Sequence, residues 1–469
     1  MSDSISYLKQ QLINHISLCF NLDGKELLES RLIRFDCLEN ALNSTERTIF
    51  IPTDVPFNEA YDDIYHAEFN QTTLTLWNRL NLSAYDNWRP ISDESAPLWY
   101  QNSSGTLISA WNLFGNLMHT LTFAEEKSHP QKDSHGRYTA AFGPRLKKNL
   151  LEVPVFNDAA AVLVAGCSGL KDGNDPLYEI KDLVKPPYLA LSHDCDLLRG
   201  NDKWTQAVRA YRTIIPLKKL KFPAMKNLWW IVRNCYAPER YYFDNITGLI
   251  ELEKSFGYIS TFYLINGQGG RFGARSSNDM IKKLVRTVPS DWALGIHYNY
   301  NTFLNEKNFI KQYAELSSLT ESNLICGRAH YLKFDPFRSF QFLAERGIKI
   351  DESSGYTDKI GYRNGIAGAF QPYKSQREIT QPIWELPMTI MDAALVKQYG
   401  DQAVNRFDQL MNHLSKVGGM MSINFHPDKF FNPEYKELNG IYHKMLITAR
   451  QYNAKAITGP LLLDYLQPV

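Results

Sequence analysis

The run YLALSHDCD, Tyr188 to Asp196, decides how this chain is read. Pro186 and Pro187 stand directly before it. Proline is excluded from helix interiors and central strands, so Leu183–Tyr188 reads as a stiff linker and the run opens a new element. The run is apolar over Tyr188–Leu191 and ends in Ser192-His193-Asp194-Cys195-Asp196. Six more short apolar runs follow: Ser260–Ile265, Ala293–Ile296, Asn323–Ile325, Ile348–Ile350, Ile383–Met388 and Met420–Phe425. Between several of them lie helices. Asn308–Leu319 places Phe309, Ile310, Tyr313, Leu316 and Leu319 on one stripe. Pro336–Arg346 begins with proline at a first-turn position and stops at Gly347, and Asp392–Ser415 reads as one long helix before Gly418-Gly419. Strands alternating with helices imply parallel β-α units, and seven of them predict a barrel or a closed β/α layer.

Upstream of the linker the pattern is different. Ser2–Phe20 has helical apolar spacing, Thr48–Ile51 is a short strand candidate, Ala110–Phe123 reads as a buried helix, and Ala159–Ala165 as a buried helix or strand. The expected organisation is an α+β accessory domain over residues 1–185 and a barrel over 186–469. Phe123, Phe142 and Phe156 offer the first domain apolar surface to bury against the second. No catalytic constellation is legible in the first part.

Composition bounds the function classes. Of 469 residues, 44% are hydrophobic and 22% charged, which excludes a mainly disordered chain. Lys plus Arg is 51 against Asp plus Glu 50, so no bulk field favours nucleic acid or an anionic membrane, although local patches remain open. Cys19, Cys37, Cys167, Cys195, Cys235 and Cys326 form no CxxC or CxxH pair, so reduced thiols are expected rather than a disulfide framework or a zinc finger. The N-terminus lacks a signal-peptide pattern, and no stretch of about 18 apolar residues exists to span a bilayer. The expectation is a cytoplasmic chain without an integral membrane segment.

In β/α barrels active sites lie at the C-terminal ends of the strands, so the residues ending each run carry the chemistry. The first run ends in Asp194 and Asp196, the third in His297, the fourth in Arg328 and His330, and the seventh in His426; the sixth carries Glu385 and is followed by Asp392. Carboxylates, imidazoles and a guanidinium on one rim suit a divalent metal and acid–base work. A single DxD is as often a solvated turn, and a lone His is more often a packed one. The joint pattern across four strand ends is what raises the signal.

On these residues the second half resembles the polysaccharide deacetylases, the NodB-homology superfamily, whose fold is a distorted seven-stranded β/α barrel. HDCD resembles the family's first motif in a DxD form, STFYLI its second-strand signature, RAHYLKF its arginine motif and NFHPD its closing histidine motif. The tracts IDESSGYTDKIGYRNG and WELPMTIMDAAL resemble a large bacterial subgroup with an N-terminal domain, whose signature is similar to DSHGRY, Asp133–Tyr138. The resemblance implies Asp194 as catalytic base, Asp196 and His297 as metal ligands, Arg328 as the group that orients Asp194, and His426 as general acid. It implies a divalent metal, Zn²⁺ first, and a glycan or amino-sugar substrate. One departure matters: Asn301 stands where the family has a second histidine. His330 is the expected third ligand; Asn301 or a water completing a looser site, or loss of the metal with glycan binding only, are the alternatives. The expected activity is removal of acetyl groups from an amino sugar or glycan. Hydrolysis of another C–N amide bond and non-catalytic glycan binding are the rival readings. His193 should alternate away from the rim.

Other signals read more plainly. NGQGGRFG, Asn266–Gly273, misses both phosphate-loop spacings and reads as a loop beside the site. Lys218, Lys219, Lys221 and Lys226 read as a solvated face, or else as an insertion that lids the cleft. Trp292, Tyr298 and Tyr300 flank His297 and can pack or stack on a sugar. DSHGRY reads as a docking turn against the barrel.

Overall fold

The computed structural model describes residues 2–466 apart from 31, 83, 92–95, 172–175, 177, 178, 219–222, 268–271 and 374–381. Lys219 and Lys221 of the basic run, and the middle of the NGQGGRFG tract, lie outside the described residues.

The first half builds β1 (Ile33–Asp36), β2 (Ile49–Pro52), β3 (Tyr65–Phe69), β4 (Thr72–Leu76), β5 (Trp88–Ile91), β6 (Trp99–Asn102) and β7 (Leu107–Ser109). Five of these form a mixed sheet in the order β1-β2-β7-β6-β5, and β3 and β4 pair as a separate antiparallel hairpin. Beside the sheet runs the Val155–Lys171 helix. Its sequence, VFNDAAAVLVAGCSGLK, is apolar on every side, and every residue from Val155 to Leu170 except Ser168 is buried, as expected of a helix enclosed by packing partners. Gly166 lets it lie against Trp99, whose ring would clash with a Cβ there.

The second half builds β8 (Tyr188–Asp194), β9 (Ser260–Leu264), β10 (Ala293–Tyr298), β11 (Cys326–Ala329), β12 (Ile350–Asp351), β13 (Trp384–Glu385), β14 (Ile390–Met391), β15 (Met420–Asn424) and β16 (Lys455–Ala456). All pair in parallel, in the order β13-β12-β11-β10-β9-β8-β15-β14, with β16 added against the start of β8. The expected seven strands are therefore too few. The sixth run, Ile383–Met388, holds only β13; β14 follows it at Ile390–Met391, and β16 is too short for any apolar period to reveal it. Among the described residues β13 and β14 do not pair, so the sheet curls without closing through hydrogen bonds.

Three further expectations are corrected. The fourth strand begins at Cys326, past Asn323–Ile325, and its Gly327 leaves room for Tyr298 of β10, whose ring a Cβ there would meet. The helix expected from Pro336 starts at Ser339, where an Asp335–Ser339 turn holds the entry. Asp392–Ser415 is two helices, Asp392–Tyr399 and Ala403–Val417, broken at Gly400 with φ +50°. Phe123 and Phe156 are buried, but Phe142 is 41% exposed.

The halves share polar as well as apolar contacts. Asn157 of the buried helix donates to the carbonyls of Ala367 and Gly418 and accepts from the Ala367 N–H. Arg363 forks onto Glu126 at 2.6 and 3.0 Å. Lys185 N–H donates to Cys19 and Asn21 N–H to Leu183, so the linker is tied to the first helix.

Asp351 and Glu385 sit side by side in register on β12 and β13, both wholly buried. Burial pushes Asp351 up to about 6, and burial together with the Asp351 charge raises Glu385 well above the carboxylate range. A carboxyl whose pKa is higher folded than unfolded adds stability in full below the unfolded value and loses it as pH climbs through the folded one. The pair's contribution should therefore fall from pH ~4, the unfolded carboxyl range, through about 6 for Asp351 and higher for Glu385. Glu385→Gln keeps an acceptor for the Ser354 N–H. Its melting temperature relative to wild type should rise between pH 5 and pH 8 in a scanning-fluorimetry series; a constant difference would rule the pair out as the cause.

Candidate active site

The C-terminal ends of β8, β10, β11 and β15 surround a cleft of about 440 Å³. Asp194, Asp196, His297, His330 and His426 line it, with Leu197, Phe272, Arg275, Tyr331, Asp428 and Lys429 beside them. Arg328 is not among the lining residues but bonds Asp194 from behind the wall.

Asp194 closes β8 and is almost fully buried. Its Oδ1 accepts from Arg328 Nη1 at 2.9 Å and its Oδ2 from Asn424 Nδ2 at 2.8 Å. Burial pushes its pKa up, but His297, Arg328 and His426 outweigh that and hold it below the usual carboxylate value. Arg328 is wholly buried. Its Nη2 donates to Ser192 Oγ and to Glu352 Oε2, both at 2.7 Å, its Nε to the Glu352 carbonyl at 3.1 Å, and its plane covers the Tyr263 ring at 4.5 Å.

Asp196, His297 and His330 have ligand atoms within 4.8 Å of one another. His297 Nδ1 donates to the Arg328 carbonyl at 2.9 Å, which places a proton on Nδ1 and turns Nε2 toward Asp196 Oδ1 at 3.1 Å. That Oδ1 is buried and accepts no hydrogen bond among the described residues. His330 Nε2 lies 3.5 Å from Asp196 Oδ2. A proton on Nε2 or a bound cation would satisfy this approach, and one carboxylate with two imidazoles, one of them oriented through Nδ1 by a carbonyl, is a donor set that fits a bound divalent metal. Asn301 is exposed and is not among the cleft-lining residues.

His426 follows β15. Its Nδ1 pairs with Asp392 Oδ2 at 3.0 Å, and its Nε2 lies 3.9 Å from Asp196 Oδ2. Burial lowers its pKa, but the buried Asp392 carboxylate overrides this and pushes it up to about 9. Lys429 Nζ donates to Asp392 Oδ1 at 2.8 Å, so one carboxylate holds two cations. Asp428 also lines the cleft, and burial raises its pKa.

Some expected candidates sit elsewhere. Glu385 is part of the buried pair under the rim and is not among the cleft-lining residues. His193 points into the opposite layer, bound to the Phe425 carbonyl at 2.7 Å and Glu253 at 2.9 Å. Trp292 and Tyr298 are packed, whereas Tyr300 joins His135, Phe272 and Tyr331 in an aromatic group at the cleft.

Sequence reasoning missed second-half residues such as Asn424 and Lys429, and two more that come from the first half. DSHGRY is a tight turn: Asp133 Oδ1 accepts from the N–H groups of His135 and Arg137, and Gly136 takes φ +76°. The turn does more than dock, because His135 and Arg137 line the cleft. His135 Nδ1 lies 3.1 Å from Tyr300 Oη. Arg137 is clamped by Asp133 and donates from Nη1 to the Tyr331 carbonyl at 2.6 Å. Tyr331 and Leu332 have φ +61° and +48°, a costly backbone for such side chains. Arg137 thus pins the strained turn that follows His330.

No family model matches the sequence, and comparison with curated proteins gives no match. Solved structures similar to this chain include several named as polysaccharide deacetylases. One named as a polysaccharide deacetylase from Mycobacterium smegmatis is 14% identical, with 61% of this chain and 93% of that one covered, at a TM-score of 0.39. A second from Pseudomonas aeruginosa is 12% identical, covering 60% and 90%, at 0.38. A Bacillus anthracis chain named as a CE4 family pseudoenzyme is 11% identical, covering 64% and 81%, at 0.31.

Arg328→Ala should leave two buried carboxylates, Asp194 and Glu352, without their shared cation. Removing one partner of a buried ion pair costs about 3–5 kcal/mol. Urea unfolding of the variant should show a loss of that order, and a loss near zero would mean that the guanidinium is replaceable by water. Arg137→Ala, which touches no proposed ligand, should weaken metal binding several-fold in a calorimetric titration while leaving the melting temperature of the metal-free protein little changed.

Proposed function

We propose that the cleft removes acetyl groups from an amino sugar or glycan, with a divalent cation, Zn²⁺ first, held by Asp196, His297 and His330. One observation carries the reading: Asp194, held by Arg328, and His426, held by Asp392, both reach the Asp196–His297–His330 cluster, Asp194 Oδ2 at 3.7 Å from His297 Nε2 and His426 Nε2 at 3.9 Å from Asp196 Oδ2. When bound, such a cation supplies Lewis-acid polarisation of the acetyl carbonyl and lowers the pKa of water at the site.

The chain's own residues do the rest. Asp194 keeps a lone pair free after accepting from Arg328 and Asn424, and it takes a proton from the attacking water. Arg328 keeps that carboxylate ionised and fixed in angle. The water oxygen bonds to the acetyl carbon as its proton passes to Asp194. His426 is charged at neutral pH because of Asp392, and its Nε2–H faces the cleft. It donates that proton to the leaving amine as the C–N bond breaks, so the products are acetate and the free amino sugar. The rings of Phe272, Tyr331 and His135 line the wall where a sugar face can lie.

Asp194→Asn keeps the size of the side chain and removes the base. Acetate release from a panel of acetylated amino sugars should fall by ~10²–10⁴-fold, with zinc content unchanged by elemental analysis. A wild-type rate would remove Asp194 from the chemistry. Dialysis against a chelator should abolish activity and Zn²⁺ should restore it. His330→Ala should lower zinc occupancy, and full occupancy in that variant would exclude His330 as a ligand. Should wild type release no acetate from any substrate while a glycan still binds, the cleft is a binding site only.

A further inference from the structure

The chain between β8 and β9 holds a pair of helices, Lys203–Lys218 and Pro223–Tyr236, whose apolar residues face the wrong way for a protein interior. The first helix buries Thr205 and Arg209 and exposes Trp204, Tyr211, Ile214 and Ile215. At about 100° per residue these four fall within roughly a third of its circumference. The second buries Trp230 and Asn234 and exposes Met225, Leu228, Trp229, Val232 and Tyr236, again on one stripe. Met225 is 71% and Tyr236 85% exposed. Polar contacts hold the two helices together: the Arg209 guanidinium lies over the Trp230 ring at 5.2 Å, and Asn227 Nδ2 donates to the Arg212 carbonyl at 3.1 Å. Each helix thus spends polar groups on its inner contact and leaves its large apolar groups in water. For an interior-facing helix that arrangement is inverted, so a covering surface is required.

The charge around the stripes states which surface. Residues 201–236 hold eight Lys or Arg against the single acid Asp202. Among the described ones Lys203, Arg212 and Lys226 are exposed and flank the apolar stripes. Trp and Tyr at the edge of an apolar face, ringed by cations, is the composition of a helix lying in the interface of an anionic bilayer. A protein groove would have to match nine apolar side chains and supply acids around them; a fluid, negatively charged lipid surface does both without a fixed shape. The chain's net charge is only +1, so this patch is a local concentration rather than part of a basic surface.

We propose that this helical hairpin docks the protein on an anionic lipid bilayer. No helix among the described residues is long and apolar enough to cross a membrane, so the contact is interfacial. The hairpin leaves β8 just past Asp196 and Leu197, both in the wall of the cleft. Docking through a segment this near in sequence would tether the cleft to the bilayer, from which a lipid-borne acetylated sugar would be drawn. That last clause rests on the proposed function; the docking does not.

The full chain is sedimented with phosphatidylcholine vesicles and with vesicles of mixed phosphatidylcholine and phosphatidylglycerol. Binding should be strong only with the anionic vesicles and should weaken with added salt. Leu228→Glu and Trp229→Glu together should abolish it with little change in melting temperature, because both residues are about half exposed. Lys226→Glu should weaken it by roughly fivefold or more, the effect of one basic residue near such a surface. Failure to bind either vesicle, or equal binding by the double variant, overturns the proposal. Sedimentation velocity runs alongside: a dimer that the double variant converts to monomer, with no vesicle binding, assigns the surface to a second copy instead. Asp194→Asn should bind vesicles like wild type, so loss of the deacetylase reading and loss of the docking reading are separately visible.

Discussion

The Arg328 guanidinium is the constraint from which the rest of the site follows. It has no contact with water, and a buried charge is stable only when its neighbours satisfy it. Glu352 and Asp194 supply two carboxylates, Ser192 a hydroxyl and Tyr263 a ring face. Those partners come from β8, from β9 and from the residue after β12, so one side chain sets the spacing of strands on both sides of β11. The guanidinium is planar with donors in a fixed fork, which also sets the angle at which the Asp194 carboxylate meets the cleft. A lysine would bring the charge without the angle. Packing and chemistry are joined here: the residue that stabilises the middle of the sheet is the one that keeps the base ionised.

A second carboxylate repeats the logic outside the sheet. Asp392 starts a helix after β14, is wholly buried, and takes the N–H and Nδ1 of His426 on one oxygen and Lys429 on the other. The imidazole is thereby fixed in both tautomer and direction. The two oriented groups, Asp194 and His426, stand at the ends of adjacent parallel strands, one held by the Arg328 guanidinium and the other by the Asp392 carboxylate.

Much of this was legible in the chain because strand ends are marked locally. An apolar run that stops in a titratable residue is visible in five letters, and Asp194, His297, Arg328 and His426 all meet that description. What stayed hidden depends on distance or on brevity. β14 and β16 are two residues each, too short for a period. Gly400 breaks what reads as one amphipathic helix because the apolar phase continues across it. Glu385 sits at a strand end but beside Asp351, and only the register shows that the two bury each other. His135 and Arg137 reach the cleft through a turn whose own letters explain the turn and not its destination.

The Val155–Lys171 helix carries a consequence for biosynthesis. It is apolar around its whole girth, and Asn157 near its start finds its partners only at Ala367 and Gly418. A ribosome releases this segment long before those carbonyls exist. Until the last quarter of the chain emerges, the nascent polypeptide holds a greasy cylinder with one flank uncovered. Chaperone engagement should therefore begin soon after residue 171 leaves the exit tunnel and end only near the C-terminus, and transcripts that stop early should yield aggregates rather than a folded N-terminal fragment.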